Sequence, residues 1–189
     1  MSDESNETDE PNESNEPNES DAEPNPVAAE GTTADPLEKE GTFLVTHAED
    51  DSAIVRDVAD GQVHALAANP GVEVGQAMEA TLASEPPIHA TWTAVEVYGR
   101  RTIERERSEE PPTQQEREAA EDGAVGDLAR IERAGSGELH VLSVPDDRTE
   151  DAVEDVLEDE ATLTRAARMG VSRVEVRAAD GVVSVRYLP

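Results

Sequence analysis

Gly41–Glu104 reads GTFLVTHAEDDSAIVRDVADGQVHALAANPGVEVGQAMEATLASEPPIHATWTAVEVYGRRTIE. Five short β-type runs, Thr42–His47, Ala53–Val58, Gln62–Leu66, Ala77–Leu82 and Thr91–Tyr98, alternate there with turn signals. The turns are Glu49-Asp50-Asp51, Asp60-Gly61, Asn69-Pro70-Gly71 and Pro86-Pro87. Asp-Gly between two such runs marks a hairpin. Asn69-Pro70-Gly71 is a strong turn because proline fixes φ and glycine accepts positive φ. This spacing predicts a small five-stranded β-barrel, OB-like or SH3-like, over residues 40–107. Side chains alternate along a strand, so Phe43 and Val45 face one way and Leu44 and Thr46 the other. By the same rule Met78, Ala80 and Leu82 share a face, as do Trp92, Ala94, Glu96 and Tyr98.

Beyond the barrel, ERERSEEPP over Glu104–Pro112 reads as a strand end passing into a charged linker, which Pro111-Pro112 breaks. Thr113-Gln114-Gln115-Glu116 is a capping box. The helix it starts carries Ala120, Ala124, Leu128 and Ile131 on one face, with Gly135 as its stop. Gly123 and Gly126 weaken that helix, each by up to about 1 kcal/mol. Glu138–Val144 reads as a strand, and Thr149 as the cap of a helix whose apolar face is Ala152, Val153, Val156 and Leu157. A second helical piece with Ala161, Leu163, Ala166 and Ala167 stops at Gly170, either continuing the first with a bend or standing alone. Val171–Arg177 and Val182–Leu188 form a hairpin through Ala179-Asp180-Gly181. Residues 112–189 are thus expected to form an α+β module, a three-stranded sheet with helices on one face. If its first two strands are parallel neighbours, their crossover is right-handed.

Ahead of both lies a tail, residues 1–39, built on Ser5-Asn6-Glu7, Pro11-Asn12-Glu13, Ser14-Asn15-Glu16 and Pro17-Asn18-Glu19. Before Val27 it has almost no apolar side chain to bury, so disorder is expected. Acidity continues past the tail. The net charge of −30 divides into −13 over residues 1–40, −8 over 41–110 and −9 over 111–189. Of the 15 basic residues, Lys39 is the single lysine. Self-repulsion on this scale destabilises a compact chain in dilute buffer, whereas a Debye length of about 3 Å at 1 M salt removes most of it. The charge therefore reads as adaptation to brine. The start MSDESNETDE has neither the basic end nor the apolar core of a secretion signal, and no run approaches a membrane span. A cytoplasmic protein without membrane contact is expected.

Chemistry is sparsely supplied. With no cysteine there are no disulfides or thiolate metal sites, and no serine sits in a Gly-x-Ser-x-Gly elbow. Gly135-Ser136-Gly137 lacks the strand and lysine of a phosphate loop. His47, His64 and His89 fall in the barrel without ligand spacing, so no metal and no cofactor are expected. The one local anomaly is positive: Arg165, Arg168, Arg173, Arg177 and Arg186 face only Glu175 and Asp180 over residues 161–189. A second group, Arg100, Arg101, Arg105 and Arg107, follows the barrel. Arginine holds phosphate or carboxylate bidentately, so the five C-terminal arginines are the candidate binding residues. The bland alternative is internal pairing with the acidic run Asp146–Glu160.

GTFLVTHAEDDSAIVRDV, ANPGVEVG, PPTQQERE, GELHVLSVP and GVVSVRYLP together resemble an uncharacterised haloarchaeal family, a domain of unknown function, over roughly residues 40–189. The resemblance implies a haloarchaeal cytoplasmic protein and brings no activity, cofactor or catalytic residue. The reading that emerges is a non-catalytic binding or scaffold protein whose partner is another protein. Nucleic-acid binding through the arginine cluster is the first alternative; it conflicts with the weakening of phosphate contacts in salt and with the scarcity of stacking aromatics. A carboxylate-dependent hydrolase or transferase is the second. The unfolding midpoint should rise steeply as KCl is raised from about 0.1 to about 2 M at pH 7, tracking the loss of self-repulsion. A midpoint indifferent to salt would leave the acidic surface without that explanation.

Overall fold

The computed structural model describes residues 35–132, 135 and 137–189. The tail expected over residues 1–39 lies outside the described residues up to 34. Strand β1 (Glu38–Ala48) is long enough to pair twice, through Glu38–Leu44 with β4 (Gln76–Ser84) and through Phe43–Ala48 with β2 (Ala53–Asp57). With β3 (Val63–Leu66) and β5 (Thr91–Thr102) these strands close a barrel in the order β1-β2-β3-β5-β4. Only β3 and β5 run parallel, at Ala65 and Leu66. That order is the Greek-key arrangement of an OB-type barrel. The expected five strands are all present.

Parity fills the barrel as the sequence dictates: Phe43, Val45, Val55, Met78, Ala80 and Leu82 are buried in its core. On β5 the alternation fails past Ala94. Two irregularities in the β4–β5 register, between Glu79 and Ala80 and between Thr81 and Leu82, shift the strand's facing. Val97 therefore packs against the core and Tyr98 is exposed. A bulge inserts one residue, and one residue reverses every side chain after it.

Glu104–Arg107, read from sequence as the tail of the barrel strand, is a separate strand, β6. A single residue, Ile103, carries the chain from β5 into β6, and Ile103 is only 6% exposed. β6 runs parallel to β9 (Arg173–Ala179) at the edge of a second sheet. That sheet has five strands, not the expected three, in the order β6-β9-β10-β8-β7, where β7 is Leu128–Glu132, β8 is Glu138–Ser143 and β10 is Val182–Leu188. β9 and β10 form the expected hairpin, but β10 lies between β8 and β9, so the parallel-neighbour crossover does not arise.

Helices cover both faces. Thr113 and Glu116 form the expected capping box for α1 (Gln114–Glu121), which packs Ala120 on Leu139, Val141 and Val182. On the other face α2 (Thr149–Glu158) and α3 (Glu160–Met169) bring Val153, Leu163 and Ala166 onto Val174, Val176, Val183 and Val185. They are two helices rather than one with a bend. Asp159 ends α2 in an extended conformation, and its carboxylate accepts from the Ala161 amide to start α3. Thr149 is not a cap but the first residue of α2. Its hydroxyl donates to the Asp146 carbonyl and accepts from the Gly181 amide. Among the described residues no helix is long and apolar enough to cross a membrane.

The helix expected to run through Ile131 ends at Glu121. Gly126 explains the change. Its φ is +96°, its amide donates to Ser143 O at 2.7 Å, and the Ser143 amide donates to Asp127 O at 3.2 Å. This is a glycine bulge, a feature of strands, and it launches β7 beside β8. The sign of one substitution separates the two conformations. In a helix Gly126→Ala would stabilise by about 1 kcal/mol; at positive φ it should destabilise by about 1–2 kcal/mol, read from urea unfolding in high salt.

Candidate functional site

The helical face of the second sheet is only half covered. α2 and α3 lie over β9 and β10, which leaves an open trough of about 560 Å³ between α3 and β7. His140 and Leu142 of β8 and Val185 and Tyr187 of β10 line its floor. α3 supplies one wall through Thr162, Arg165 and Arg168, β7 the other through Leu128 and Arg130, and Arg56 of β2 reaches in from the barrel. Four guanidinium groups thus line one concavity, with the carboxylates of Asp159 and Glu160 among them, in a chain of net charge −30.

Two of the four are neutralised. Arg56 Nε bonds Glu160 Oε1 at 2.6 Å, and Arg165 Nε bonds Glu138 Oε2 at 3.1 Å with Nη2 also on that oxygen. Arg168 Nε donates to the Val58 carbonyl of the barrel at 2.6 Å. Among the described residues neither Arg168 nor Arg130 has a carboxylate partner. Glu138 also accepts from His140 Nε2 at 2.9 Å. Hydrogen bonds from Arg165 and then His140 hold the Glu138 carboxyl below its ordinary range. Burial pushes His140 down, and the positive charges of Arg165 and Arg130 add to this against the Glu138 hydrogen bond that raises it. His140 is therefore neutral at pH 7, packed edge-on against Tyr187 with ring centroids 5.1 Å apart. Burial in turn pushes the Tyr187 phenol up, offset in part by the neighbouring Thr162 side chain. The floor is uncharged, and the rim carries the four guanidinium groups together with the carboxylates of Asp159 and Glu160.

Of the five arginines singled out in the sequence, Arg165 and Arg168 line the trough. Arg173, Arg177 and Arg186 do not, because strand parity turns them to the α1 side. There Arg173 pairs with Glu106 at 3.4 Å, and Arg177 with Glu110 and Glu175, each at 2.6 Å. Arg186 reaches Glu175 at 3.1 Å and Glu116 at 3.7 Å. Burial raises the Glu175 carboxyl, yet its bonds to Arg177 and Arg186 outweigh this and hold it low. The expected partner run Asp146–Glu160 pairs elsewhere, Glu150 with Arg107 and Glu160 with Arg56, since its helix lies on the opposite face.

Arg56, Arg130, His140 and Tyr187 were missed in the sequence. Arg56 and Arg165 are separated by an entire sheet in the chain, and Arg130 fell within a segment read as helix. The cross-strand pairing of Arg130 with His140 becomes visible only once β7 is a strand. The three barrel histidines are scattered. His47 lies 3.5 Å from Glu49, His64 is buried beside Phe43 and Trp92, and His89 Nδ1 bonds Ser84 Oγ at 2.6 Å. Among the described residues no group of three or more His, Asp or Glu is placed to hold a metal ion.

Residues 39–178 match a family of unknown function, DUF5812. No curated protein and no solved structure matches the chain.

Glu116 is 1% exposed, caps α1 and faces Arg186. Glu116→Ala removes both roles, while Arg186 keeps Glu175 at 3.1 Å. It should destabilise the fold by about 2 kcal/mol in chemical unfolding, from the lost cap and the Thr113 amide left without its acceptor, whereas Arg173→Ala, whose pair is exposed, should cost under about 1 kcal/mol.

Proposed function

The chain belongs to the DUF5812 family, and we propose that it is a non-catalytic binding module that holds an acidic segment of another protein in the arginine-rimmed trough. The observation that carries this reading is the pair of guanidinium groups, Arg130 and Arg168, without a carboxylate partner among the described residues, at the rim of a concavity whose floor is neutral. A carboxylate-bearing segment complements that rim, and Leu128 and Leu142 offer apolar contact beside it. The setting we infer is the salt-rich cytoplasm of a haloarchaeal cell. There screening suppresses the long-range repulsion between two acidic proteins and weakens pairs in contact less than it weakens that repulsion.

Nucleic acid fits less well. Three of the five C-terminal arginines are engaged with glutamates on the far face, and Trp92 and Tyr98 of the barrel stand apart from the trough lining. One specific observation favours an enzyme as the second reading: Glu138 orients His140, as a carboxylate orients a general base. Against it, among the described residues no hydroxyl is bonded to His140, and burial has lowered its basicity.

Fluorescence anisotropy in about 2 M KCl, with a labelled peptide of alternating Glu and Val and a labelled oligonucleotide of equal length, tests the proposal. The peptide should bind, and Arg130→Glu and Arg168→Glu should each weaken it about tenfold. Binding of the oligonucleotide in its place, or peptide binding indifferent to both reversals, would overturn the reading.

A further inference from the structure

β7 closes one end of its sheet, with β8 as its one strand neighbour among the described residues. The bulge at Gly126 and Asp127 fixes which backbone groups remain free. Ser143 exchanges hydrogen bonds with that pair, so the ladder's bonded positions fall next at Ala129 opposite Val141 and Ile131 opposite Leu139. Leu128, Arg130 and Glu132 consequently turn their N–H and C=O groups to the open edge. By the same alternation their side chains stand on the trough face, where Leu128 is 43% exposed.

The two ends of this sheet are guarded differently. The other edge, β6, carries Glu104, Arg105, Glu106 and Arg107, an exposed charge at every position, with Arg107 clamped by Glu150 at 2.5 and 2.8 Å. Dense edge charge of this kind discourages another strand from pairing. β7 carries Ala129 and Ile131 packed toward α1 and presents only Leu128, Arg130 and Glu132 outward on the trough side. Its edge is left able to accept a strand, and Arg130 stands on it.

We propose that the acidic segment adds to β7 as an extra strand, bonding the backbone of Leu128, Arg130 and Glu132 and turning its carboxylates to the trough face, toward Arg130. The inference rests on the trough being the binding site and adds how the partner is held. Backbone hydrogen bonds at a sheet edge supply affinity, and alternate side chains supply register. The division of labour suits strong salt. Charge pairs at the rim are screened there, while amide-to-carbonyl bonds are not of that screened kind. An extended chain of alternating acidic and β-branched residues is the matching occupant, an acid meeting Arg130 and its apolar residues lying on the α1 side beside Ala129 and Ile131.

The experiment uses the full chain and the same Glu/Val peptide in two backbone N-methylated forms, one methylated at every Glu and one at every Val. The side chains are unchanged, so the protein's folding is not at issue. A strand lying on β7 uses the amides of one alternating set. One methylated peptide should lose binding by about tenfold or more while the other binds like the parent. Glu132→Pro, which removes an outward amide without touching the β8 ladder, should weaken the parent peptide as well. In amide hydrogen exchange, Leu128, Arg130 and Glu132 should gain protection on binding. If both methylated peptides bind like the parent while Arg130→Glu still weakens binding, edge addition is overturned and the trough reading stands. If one methylated form fails and Arg130→Glu has no effect, the edge stands and the charged trough falls.

Discussion

The barrel and the second sheet are joined by one apolar seam, and the position of α3 beside the trough follows from it. Leu44, Val58 and Ala77 on the barrel's outer surface and Ile103 at the crossover pack into the same cluster as Ala166, Ala167 and Val171. Two adjacent alanines let α3 approach closely. Arginines then tie the seam's rim: Arg101 donates to the carbonyls of Ala167 and Val171 at the end of α3, at 3.3 and 3.2 Å, and Arg168 donates to Val58 O. Arg101 thereby adds a second donor to the Ala167 carbonyl, which also accepts from the Gly170 amide at the end of α3. With α3 pinned against the barrel, the sheet beyond it stays uncovered. That uncovered strip is the trough.

Charge is distributed between three environments with three outcomes. Exposed carboxylates dominate the surface and set the molecule's dependence on salt. Under α1, Glu116, Arg186, Glu175, Arg177 and Glu110 form a chain of ion pairs running from a nearly inaccessible carboxylate to an exposed one. Breaking such a chain is costly because a charge is left buried without a partner. At the trough the balance tips, since Arg130 and Arg168 lack carboxylates among the described residues. Strand parity sends Arg173, Arg177 and Arg186 to the α1 face, where they pair with glutamates, and Arg130 to the trough face, where it has no carboxylate partner among the described residues.

Much of the fold was legible in advance because it is written in local signals. The five barrel runs, the capping box at Thr113 and Glu116, the Gly170 stop and the final hairpin each depend on residues close in sequence. The misreadings share a cause. Ala120, Ala124, Leu128 and Ile131 have helical spacing, but a glycine at positive φ and a neighbouring strand overrode it. Glu104–Arg107 shows no hydrophobic pattern, and only the unpaired edge of β9 made it a strand. The reversal of Val97 and Tyr98 came from bulges that no composition announces. In each case a long-range partner supplied hydrogen bonds that local preference did not anticipate.

By itself the sequence determined the acidity, the five-stranded barrel, the α+β class and the grouping of Arg165, Arg168, Arg173, Arg177 and Arg186 as candidates, since charge, alternation and caps are properties of short stretches. Tertiary structure alone decided that Arg173, Arg177 and Arg186 serve the α1 face, and that Arg56, Arg130 and His140 join the trough. The physical reason is that a binding site is a meeting of distant strands, fixed by register and by which faces are buried. Neither quantity is carried by any one segment of the chain.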